Sequence, residues 1–324
     1  MNIIRVSVVV PTYQRPDLLN RCLAALLTQD FDPQGYEIVV ADDGVSEETR
    51  ALVLRRAISL PQAHLRYVAV TGTHGPAAAR NTGWRHARGA IIAFTDDDCV
   101  PQPNWLSAGV AALTRDVAAV CGRIVVPLPI QPTDYERDVS GLERAEFATA
   151  NCFCRRQALR AVGGFDERFT MPWREDSDLH FTFLERGYRM ASAPDAVVVH
   201  PARYGNWNVG LRQHRKIMFN ALLYKKHPML YRERVQPAPP WQYYGIVAAL
   251  LFALIAAASL HGLLALAGLA LWALMTAHFF ARRLRHTSRH PRHVLELIVT
   301  SALIPPVAVF WRLVGAVKFR VAFA

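Results

Sequence analysis

Acidic residues are almost absent from the last third of the chain. Residues 203–324 hold 16 Lys and Arg against 2 Asp and Glu, a net charge of +14, whereas residues 1–202 hold 21 against 24, a net charge of −3. The basic residues flank long apolar runs, a pattern typical of contact with an anionic membrane surface. We therefore expect anionic lipids as partners of the basic third and no nucleic-acid partner.

Three other features are scarce or missing. The five cysteines are odd in number and lack metal-site spacing, which predicts reduced thiols in a cytosolic domain. No glycine occurs in the turn Pro11–Arg15 after the first predicted strand, which argues against a dinucleotide such as NAD as the ligand. Residues Met1–Arg5 lack the basic region and long apolar run of a signal peptide, so none is expected.

Apolar, β-branched runs alternate with helical patterns over the first hundred residues. Strands are predicted at Val6–Val10, Glu37–Ala41, Leu65–Val70 and Ala90–Phe94. This alternation predicts an α/β fold with a mainly parallel, Rossmann-like sheet and right-handed crossovers. Ligands bind at the carboxyl edge of such a sheet, so the residues that follow the strands are the candidates for a site.

Three consecutive carboxylates, Asp96, Asp97 and Asp98, follow the strand Ala90–Phe94. Burial of unpaired charges is prohibitive, so they must lie at the end of the strand. Mg²⁺ or Mn²⁺ would relieve their mutual repulsion, and either ion commonly takes carboxylates together with substrate phosphates. Strand alternation would put Asp96 and Asp98 on one side, which favours Asp98 as the metal ligand and Asp96 as a contact to metal-bound water or a ribose. The alternative is a solvated acidic turn that caps the next helix.

Six motifs resemble those of membrane-anchored bacterial-type family-2 glycosyltransferases and occur in the same order as in that family. Members of the family have the GT-A fold and invert the anomeric centre. The resemblance covers about residues 5–200 and includes a nucleotide-sugar half and an acceptor half. The motifs are the block Val6–Leu27, Asp42-Asp43-Gly44, Gly75–Gly83, Asp96–Asp98, Gly163–Phe169 and Glu175–Leu179.

The resemblance implies a role for each residue that matches a motif. Asp176 would be the catalytic base with Glu175 beside it, and Asp98 and Asp96 would hold Mg²⁺ or Mn²⁺. Outside the motifs, His200 follows the last predicted strand and could complete the metal shell or contact the diphosphate. The donor-binding residues would be Pro11, Thr12, Tyr13, Arg15, Asp42, Asp43, Arg80, Asp96 and Asp97. Trp173 and Asp178 are expected on the acceptor side. Arg212 and Arg215 lie beyond the range of the resemblance, but their helical spacing would let them close over the leaving diphosphate as a lid.

Each of these roles has a plainer alternative. Asp42 could be a turn or cap residue, and Arg80 could pair with a surface acid. Acids at the start of the helix near Asp176 also suit the positive helix end. His200 could be structural, and the basic residues near Arg212 could face lipid headgroups. The segment Gln213–Ile217 does not match the Gln-x-x-Arg-Trp motif of processive polysaccharide synthases, so processive polymerisation is not expected.

Two uncharged runs, Tyr243–Leu260 and Leu263–Phe280, have 18 residues each. As helices they would be roughly 27 Å long, enough for the hydrocarbon core of a bilayer, with a turn at His261-Gly262. Arginines flank the pair and none lies in the turn, so both ends are expected in the cytoplasm. Trp311–Phe323 is predicted as an amphipathic, interfacial helix, and Val294–Ile304 could be embedded or interfacial.

The family resemblance, together with the charge and hydropathy patterns, implies four regions. They are a GT-A catalytic domain at 1–202 (nucleotide-sugar half 1–100, acceptor half 101–202), a basic linker or lid at 203–240, a transmembrane hairpin at 241–281, and a basic loop with a membrane-associated helix at 282–324. The expected protein is multi-pass in the inner (cytoplasmic) membrane with its catalytic domain in the cytoplasm. We expect metal-dependent transfer from a nucleoside-diphosphate sugar to a hydroxyl of a lipid-linked or cell-envelope glycan. The alternatives are transfer to polyprenyl phosphate and a non-catalytic scaffold that binds nucleotide sugars.

Overall fold

The structure is a computed structural model, and it describes residues 4–60, 63–203, 207 and 209–323. The prediction that no signal peptide is present rests partly on residues 1–3, which lie outside this range. The chain forms two compact units. The first comprises Met1–Pro127 and Ser140–Ala202, and the second comprises Leu128–Val139 and Arg203–Ala324.

Eight strands form one sheet in the first unit. They are β1 (Val6–Thr12), β2 (Tyr36–Asp42), β3 (His64–Ala69), β4 (Ile91–Phe94), β5 (Val100–Pro101), β6 (Ala119–Val125), β7 (Cys152–Arg155) and β8 (Met190–Val199). Their order across the sheet is β3-β2-β1-β4-β7-β6-β8-β5. The first four strands pair in parallel, as predicted, whereas β7 runs antiparallel to both β4 and β6. The predicted α/β class with a mainly parallel sheet is confirmed.

Thirteen α-helices are described. They are α1 (Pro16–Leu26), α2 (Glu47–Ser59), α3 (Pro76–His86), α4 (Trp105–Ala112), α5 (Asp134–Val139), α6 (Arg156–Val162), α7 (Glu175–Glu185), α8 (Val209–Gln213), α9 (Met218–Lys226), α10 (Pro228–Arg234), α11 (Trp241–Ala258), α12 (Gly262–Leu284) and α13 (Pro291–Phe319), with short 3₁₀ helices at Ser140–Arg144 and His214–Ile217. Ser46 caps α2 by accepting a hydrogen bond from the Thr49 amide, and Gly163, at φ +86°, ends α6 in the left-handed region.

Helix α3 packs closely on the sheet because its residues are small. A Cβ added to Gly83 would lie 2.3 Å from Cγ1 of Val9, which is fully buried on β1. The last glycine of the Gly75–Gly83 motif therefore has a packing role: it lets the helix approach β1.

We expect Gly83→Ala to lower the free energy of unfolding by about 2 kcal/mol, because the extra methyl must displace a buried valine. Apparent melting temperature in detergent would measure the loss. Gly141→Ala is the control, because among the described residues no heavy atom beyond its chain neighbours lies within 4 Å of the added Cβ. Equal melting temperatures for the two variants would contradict the packing role.

Three helices of the second unit are long and apolar enough to cross a membrane: α11, α12 and α13. The first two pack against each other as the hairpin that the sequence predicts, with the break at Ser259–His261. The residues predicted as an interfacial helix, Trp311–Phe323, do not form a separate element. Most of them continue α13, which runs through Pro305 and Pro306 without interruption. Packing of α13 against α9, α11 and α12 stabilises the helix across the two prolines.

The segment Leu128–Val139, here called the excursion, belongs to the second unit although β6 and β7 of the first unit flank it in sequence. Its Asp134 carboxylate accepts hydrogen bonds from Nη2 and Nε of Arg283, at 2.8 and 3.2 Å. The other guanidinium nitrogen, Nη1 of Arg283, donates to the hydroxyls of Thr300 and Ser301, at 2.9 Å each. The Pro132 carbonyl accepts a hydrogen bond from the Ser288 amide. The excursion is thus fixed to α12, to α13 and to the turn between them.

Candidate active site

The carboxyl ends of three neighbouring parallel strands, β2, β1 and β4, meet at one edge of the sheet. The Thr12 hydroxyl at the end of β1 donates to Oδ2 of Asp97 at 2.8 Å, and Nη1 of Arg15 lies 3.3 Å from Oδ1 of the same carboxylate. Burial raises the pKa of Asp97 to about 6, against the lowering effect of Arg15. The structure thus brings together residues that the sequence places 82 and 85 positions apart.

Strand alternation does not govern the acidic triplet. Strand β4 ends at Phe94, and the Cys99 amide closes a turn by donating to the Asp96 carbonyl. Each of the three side chains contacts different residues: Asp96 contacts Arg80, Asp97 contacts Thr12 and Arg15, and Asp98 contacts His200. The premise that Asp96 to Asp98 extend the strand is therefore wrong, and a turn sets their directions.

The pair Asp42-Asp43 organises the turn after β2. Asp42 is fully buried; its Oδ1 accepts from the Gly44 amide, and its Oδ2 accepts from the Ser46 amide and the Tyr67 hydroxyl. These contacts match the alternative in which Asp42 is a turn residue.

Asp43 reaches the start of α3. Its Oδ2 accepts from the Gly75 amide, and its Oδ1 lies 2.9 Å from Nδ1 of His74. The sequence analysis missed both Tyr67 and His74. The only signal for His74 was its position directly before the Gly75–Gly83 motif.

Asp98 and His200 form the best candidate metal site. Nε2 of His200 lies 3.6 Å from Oδ1 of Asp98, and both side chains are largely buried. One possible ligand atom from each of Asp98, Cys99 and His200 lies within 4.8 Å of the others. Asp96 is not part of this cluster. Nδ1 of His200 is buried and has no hydrogen-bond partner in the described part of the chain. A carboxylate and an imidazole suit a divalent cation such as Mn²⁺ better than a thiol does.

Arg80 connects the two halves of the site. It is 4% exposed and donates through Nη2 to Oδ1 of Asp96 at 2.7 Å and through Nη1 to Oε1 of Glu175 at 3.0 Å. Burial alone would lower the pKa of Arg80, but Asp96 and Glu175 outweigh it and raise that pKa. Of its two acidic partners, the Asp96 side chain is 27% exposed and the Glu175 side chain 5% exposed, so Arg80 does not pair with a fully exposed acid.

The carboxylates at the start of α7 lie in a desolvated environment. Burial raises the pKa of Glu175 to about 7, although Arg80 opposes the shift. Burial also raises the pKa of Asp176, whose Oδ1 accepts from the Ser177 amide. A carboxylate with a raised pKa is a stronger base than a solvated one, which suits Asp176 to accept a proton.

Glu175 is expected to make stability fall as pH rises. Its pKa is about 7 in the folded chain and 4.5 ordinarily, so the folded state binds the proton more tightly. The stabilisation is complete below pH 4.5 and is lost as pH rises through 7, a change of about 3 kcal/mol. Melting temperatures of wild type and Glu175→Gln between pH 5 and 8 would measure it. The melting temperature of the wild type should fall more between pH 5 and 8 than that of Glu175→Gln. Equal falls in the two proteins would contradict the raised pKa of Glu175.

The remaining predicted residues have diverse surroundings. The Trp173 ring lies 4.6 Å from the guanidinium carbon of Arg174, and the Asp178 side chain is buried. Tyr13 is exposed and Pro11 lies on β1. Arg212 and Arg215 belong to the second unit, where Arg215 lies over Trp311. Their acceptor or lid role stays a prediction.

Family models match most of the chain. The model described as Glycosyl transferase family 2 matches residues 7–160, and the model described as Glycosyl transferase family group 2 matches residues 91–282.

Curated relatives include three glycosyl-transferring proteins. Glycosyltransferase AglE of Haloferax volcanii is 31% identical over 210 residues, covering 61% of this chain and 67% of the relative. Pre-mycofactocin glycosyltransferase of Mycobacterium tuberculosis is 29% identical over 218 residues, covering 61% and 43%. Undecaprenyl-phosphate 4-deoxy-4-formamido-L-arabinose transferase of Edwardsiella ictaluri is 28% identical over 169 residues, covering 51% and 44%. The chain thus spans less than half of the last two relatives.

One solved structure is similar over almost the whole chain. It is the mannosyltransferase PcManGT from Pyrobaculum calidifontis, determined in complex with GDP-Man and Mn²⁺. The TM-score is 0.56 and the identity 25%, and the similarity covers 98% of this chain and 87% of that one. The GT-A fold expected from the sequence is confirmed.

Proposed function

Since the chain belongs to glycosyltransferase family 2, we propose that it transfers a sugar from a nucleoside-diphosphate sugar to an acceptor hydroxyl, with inversion at the anomeric carbon. The observation that supports this most is the chain of contacts His200–Asp98 and Asp96–Arg80–Glu175, which links the end of β4 to the start of α7. Arg80 thus connects the donor-side acid Asp96 to Glu175, the residue directly before the candidate base.

Asp98, in the turn after β4, and His200, directly after β8, fit a divalent cation. Asp98 and His200 would hold it, and the buried Nδ1 of His200 that lacks a partner among the described residues is consistent with an additional ligand nearby. When bound, Mg²⁺ or Mn²⁺ would offset the negative charge of the diphosphate. The Mn²⁺ and GDP-Man in the similar mannosyltransferase support a metal and a nucleotide-sugar donor here.

Asp176 would act on the acceptor. The acceptor oxygen attacks the anomeric carbon, the bond from that carbon to the diphosphate oxygen breaks, and the acceptor proton passes to the Asp176 carboxylate. Arg80 donates a hydrogen bond to Glu175 at the start of α7, and Thr12 and Arg15 contact Asp97. Trp173 and Asp178 would contact the acceptor.

The acceptor is proposed to be a lipid-linked or cell-envelope glycan. Three helices that could cross a membrane support an acceptor at the bilayer, with the catalytic unit in the cytoplasm and the protein in the inner membrane. A polyprenyl phosphate is the second candidate, because one relative is named as an undecaprenyl-phosphate transferase.

A donor panel tests the function. Detergent-purified protein would be incubated with UDP-, GDP- and dTDP-sugars, with Mn²⁺ or with EDTA, and free nucleoside diphosphate would be measured with and without membrane lipid extract. Donor-selective, metal-dependent release that rises with the extract is expected. Tight donor binding without release under any of these conditions would contradict the proposal and favour the scaffold alternative.

A further inference from the structure

Arg80 lies between two carboxylates that come from distant parts of the sequence. It is 16 residues from Asp96 and 95 residues from Glu175, yet it bonds to both, at 2.7 and 3.0 Å. Asp96 follows β4 on the donor side, and Glu175 is the first residue of α7. One side chain therefore bridges the donor side of the site and the helix that carries Asp176.

The two contacts use different nitrogens of the planar guanidinium. Nη2 donates to Asp96 and Nη1 donates to Glu175, while Nε has no hydrogen-bond partner within the described residues. A rigid fork of this kind fixes the distance between the two carboxylates as well as balancing their charge. A lysine ammonium, as a single point charge, cannot reproduce that geometry.

The surroundings hold the guanidinium in place. Its central carbon lies 5.9 Å from the centroid of the Phe165 ring, and that ring packs edge-on against Phe94, which is fully buried. Arg80 itself is 4% exposed. Both terminal nitrogens are occupied and little surface is open, so this geometry favours a role within the protein over direct contact with a donor phosphate.

Glu175 depends on this contact. Its Oε1 accepts from Arg80, and its Oε2 is buried without a hydrogen-bond partner among the residues that the structure describes. Since Asp176 is the next residue, any displacement of Glu175 displaces the candidate base.

We propose that Arg80 is a positioning residue that fixes the start of α7, and with it Asp176, relative to the donor-side carboxylate Asp96. The inference rests on the proposed function, because it assigns Arg80 a part in the same transfer. A displacement of about 1 Å at a reacting group can cost about a hundredfold in rate, so the loss should fall on kcat. Donor affinity should change much less, because both terminal nitrogens of Arg80 already bond to carboxylates of the protein.

The test separates donor binding from turnover. Arg80→Lys and wild type would be compared for melting temperature, for the Kd of the donor with Mn²⁺, and for kcat with acceptor present. We expect the Kd to stay close to the wild-type value and kcat to fall about a hundredfold. The matched control is Arg85→Lys on the same helix, whose partner is Glu167 at 3.2 Å on the surface. The control should keep the wild-type kcat.

A second pair of variants changes Glu175, the acceptor of the same hydrogen bond. This pair tests the inference even if Arg80→Lys does not fold. The amide oxygen of Glu175→Gln can still accept the hydrogen bond from Nη1 of Arg80, whereas Glu175→Ala cannot. We expect the Gln variant to recover most of the kcat that the Ala variant loses, with equal donor Kd in both.

Four outcomes would overturn the inference. A fall in donor affinity in proportion to kcat would make Arg80 a donor contact. An unchanged kcat in Arg80→Lys, or equal losses in the two Glu175 variants, would remove the positioning role while the proposed function stands. No turnover of any donor by the wild type would refute the proposed function, and the inference with it.

Discussion

Asp176→Asn is expected to lower kcat by about 10²–10⁴, the usual contribution of a general base. The amide keeps the size of the side chain and cannot take the proton of an acceptor hydroxyl. Burial holds the pKa of Asp176 above its ordinary value, which makes its loss as a base more costly. Donor affinity should stay close to that of the wild type, because the reaction path places Asp176 on the acceptor side.

The control for this variant is Asp116→Asn. Asp116 is exposed, pairs with Arg189 on the surface and should tolerate the change. Nucleoside diphosphate release at saturating donor and acceptor would measure both variants. If Asp176→Asn retains nearly full activity, the acceptor does not need a base. That result would favour a polyprenyl phosphate, whose phosphate is already anionic.

Asp98→Ala should have the second large effect, on metal affinity and on turnover. Asp98 supplies the carboxylate of the proposed cation site, and His200 alone offers a single ligand. A bound cation is worth several kcal/mol of charge stabilisation, so turnover at a fixed Mn²⁺ concentration should fall by about 10²–10³. Binding of Mn²⁺, followed by electron paramagnetic resonance, should weaken in parallel.

A Mn²⁺ titration distinguishes this effect from misfolding. If Asp98 is a ligand, a higher Mn²⁺ concentration should restore part of the activity of Asp98→Ala. Glu48→Gln, an exposed acid at the start of α2, is the charge-matched control and should bind Mn²⁺ as the wild type does. Wild-type Mn²⁺ affinity in Asp98→Ala would contradict the assignment of Asp98.

The fold of the first hundred residues could be predicted because local pattern and tertiary environment agree there. Strands β1 and β2 are buried on both faces, so their apolar runs carry the signal directly. Strand β7 was not predicted, because Cys152–Arg155 is a short segment with no alternation and its pairing with β4 and β6 depends on distant residues. Helix α13 was divided in the prediction because two prolines normally end a helix, and only its packing shows otherwise.

The candidate site likewise has a part that the sequence predicts and a part that it does not. Sequence spacing identified which acids occur at strand ends, but it could not show their partners. Arg80 bonds to Asp96 and Glu175, and Asp97 bonds to Thr12 and Arg15, through contacts that span up to 95 residues. The directions of the three acids after β4 come from a turn closed by the Cys99 amide, which no periodicity reveals.

The excursion has a consequence for how such a protein can be divided or recombined. Leu128–Val139 lies between β6 and β7 in sequence, but its Asp134 bonds to Arg283 of the second unit. The same guanidinium also donates to Thr300 and Ser301. A chain shortened to end at residue 202 would retain Asp134 and lose all three. The sequence of the first unit and the three long apolar helices are therefore not separable modules with one junction. Exchange of the helices for those of a relative would have to preserve the acid at 134 and the arginine at 283 together.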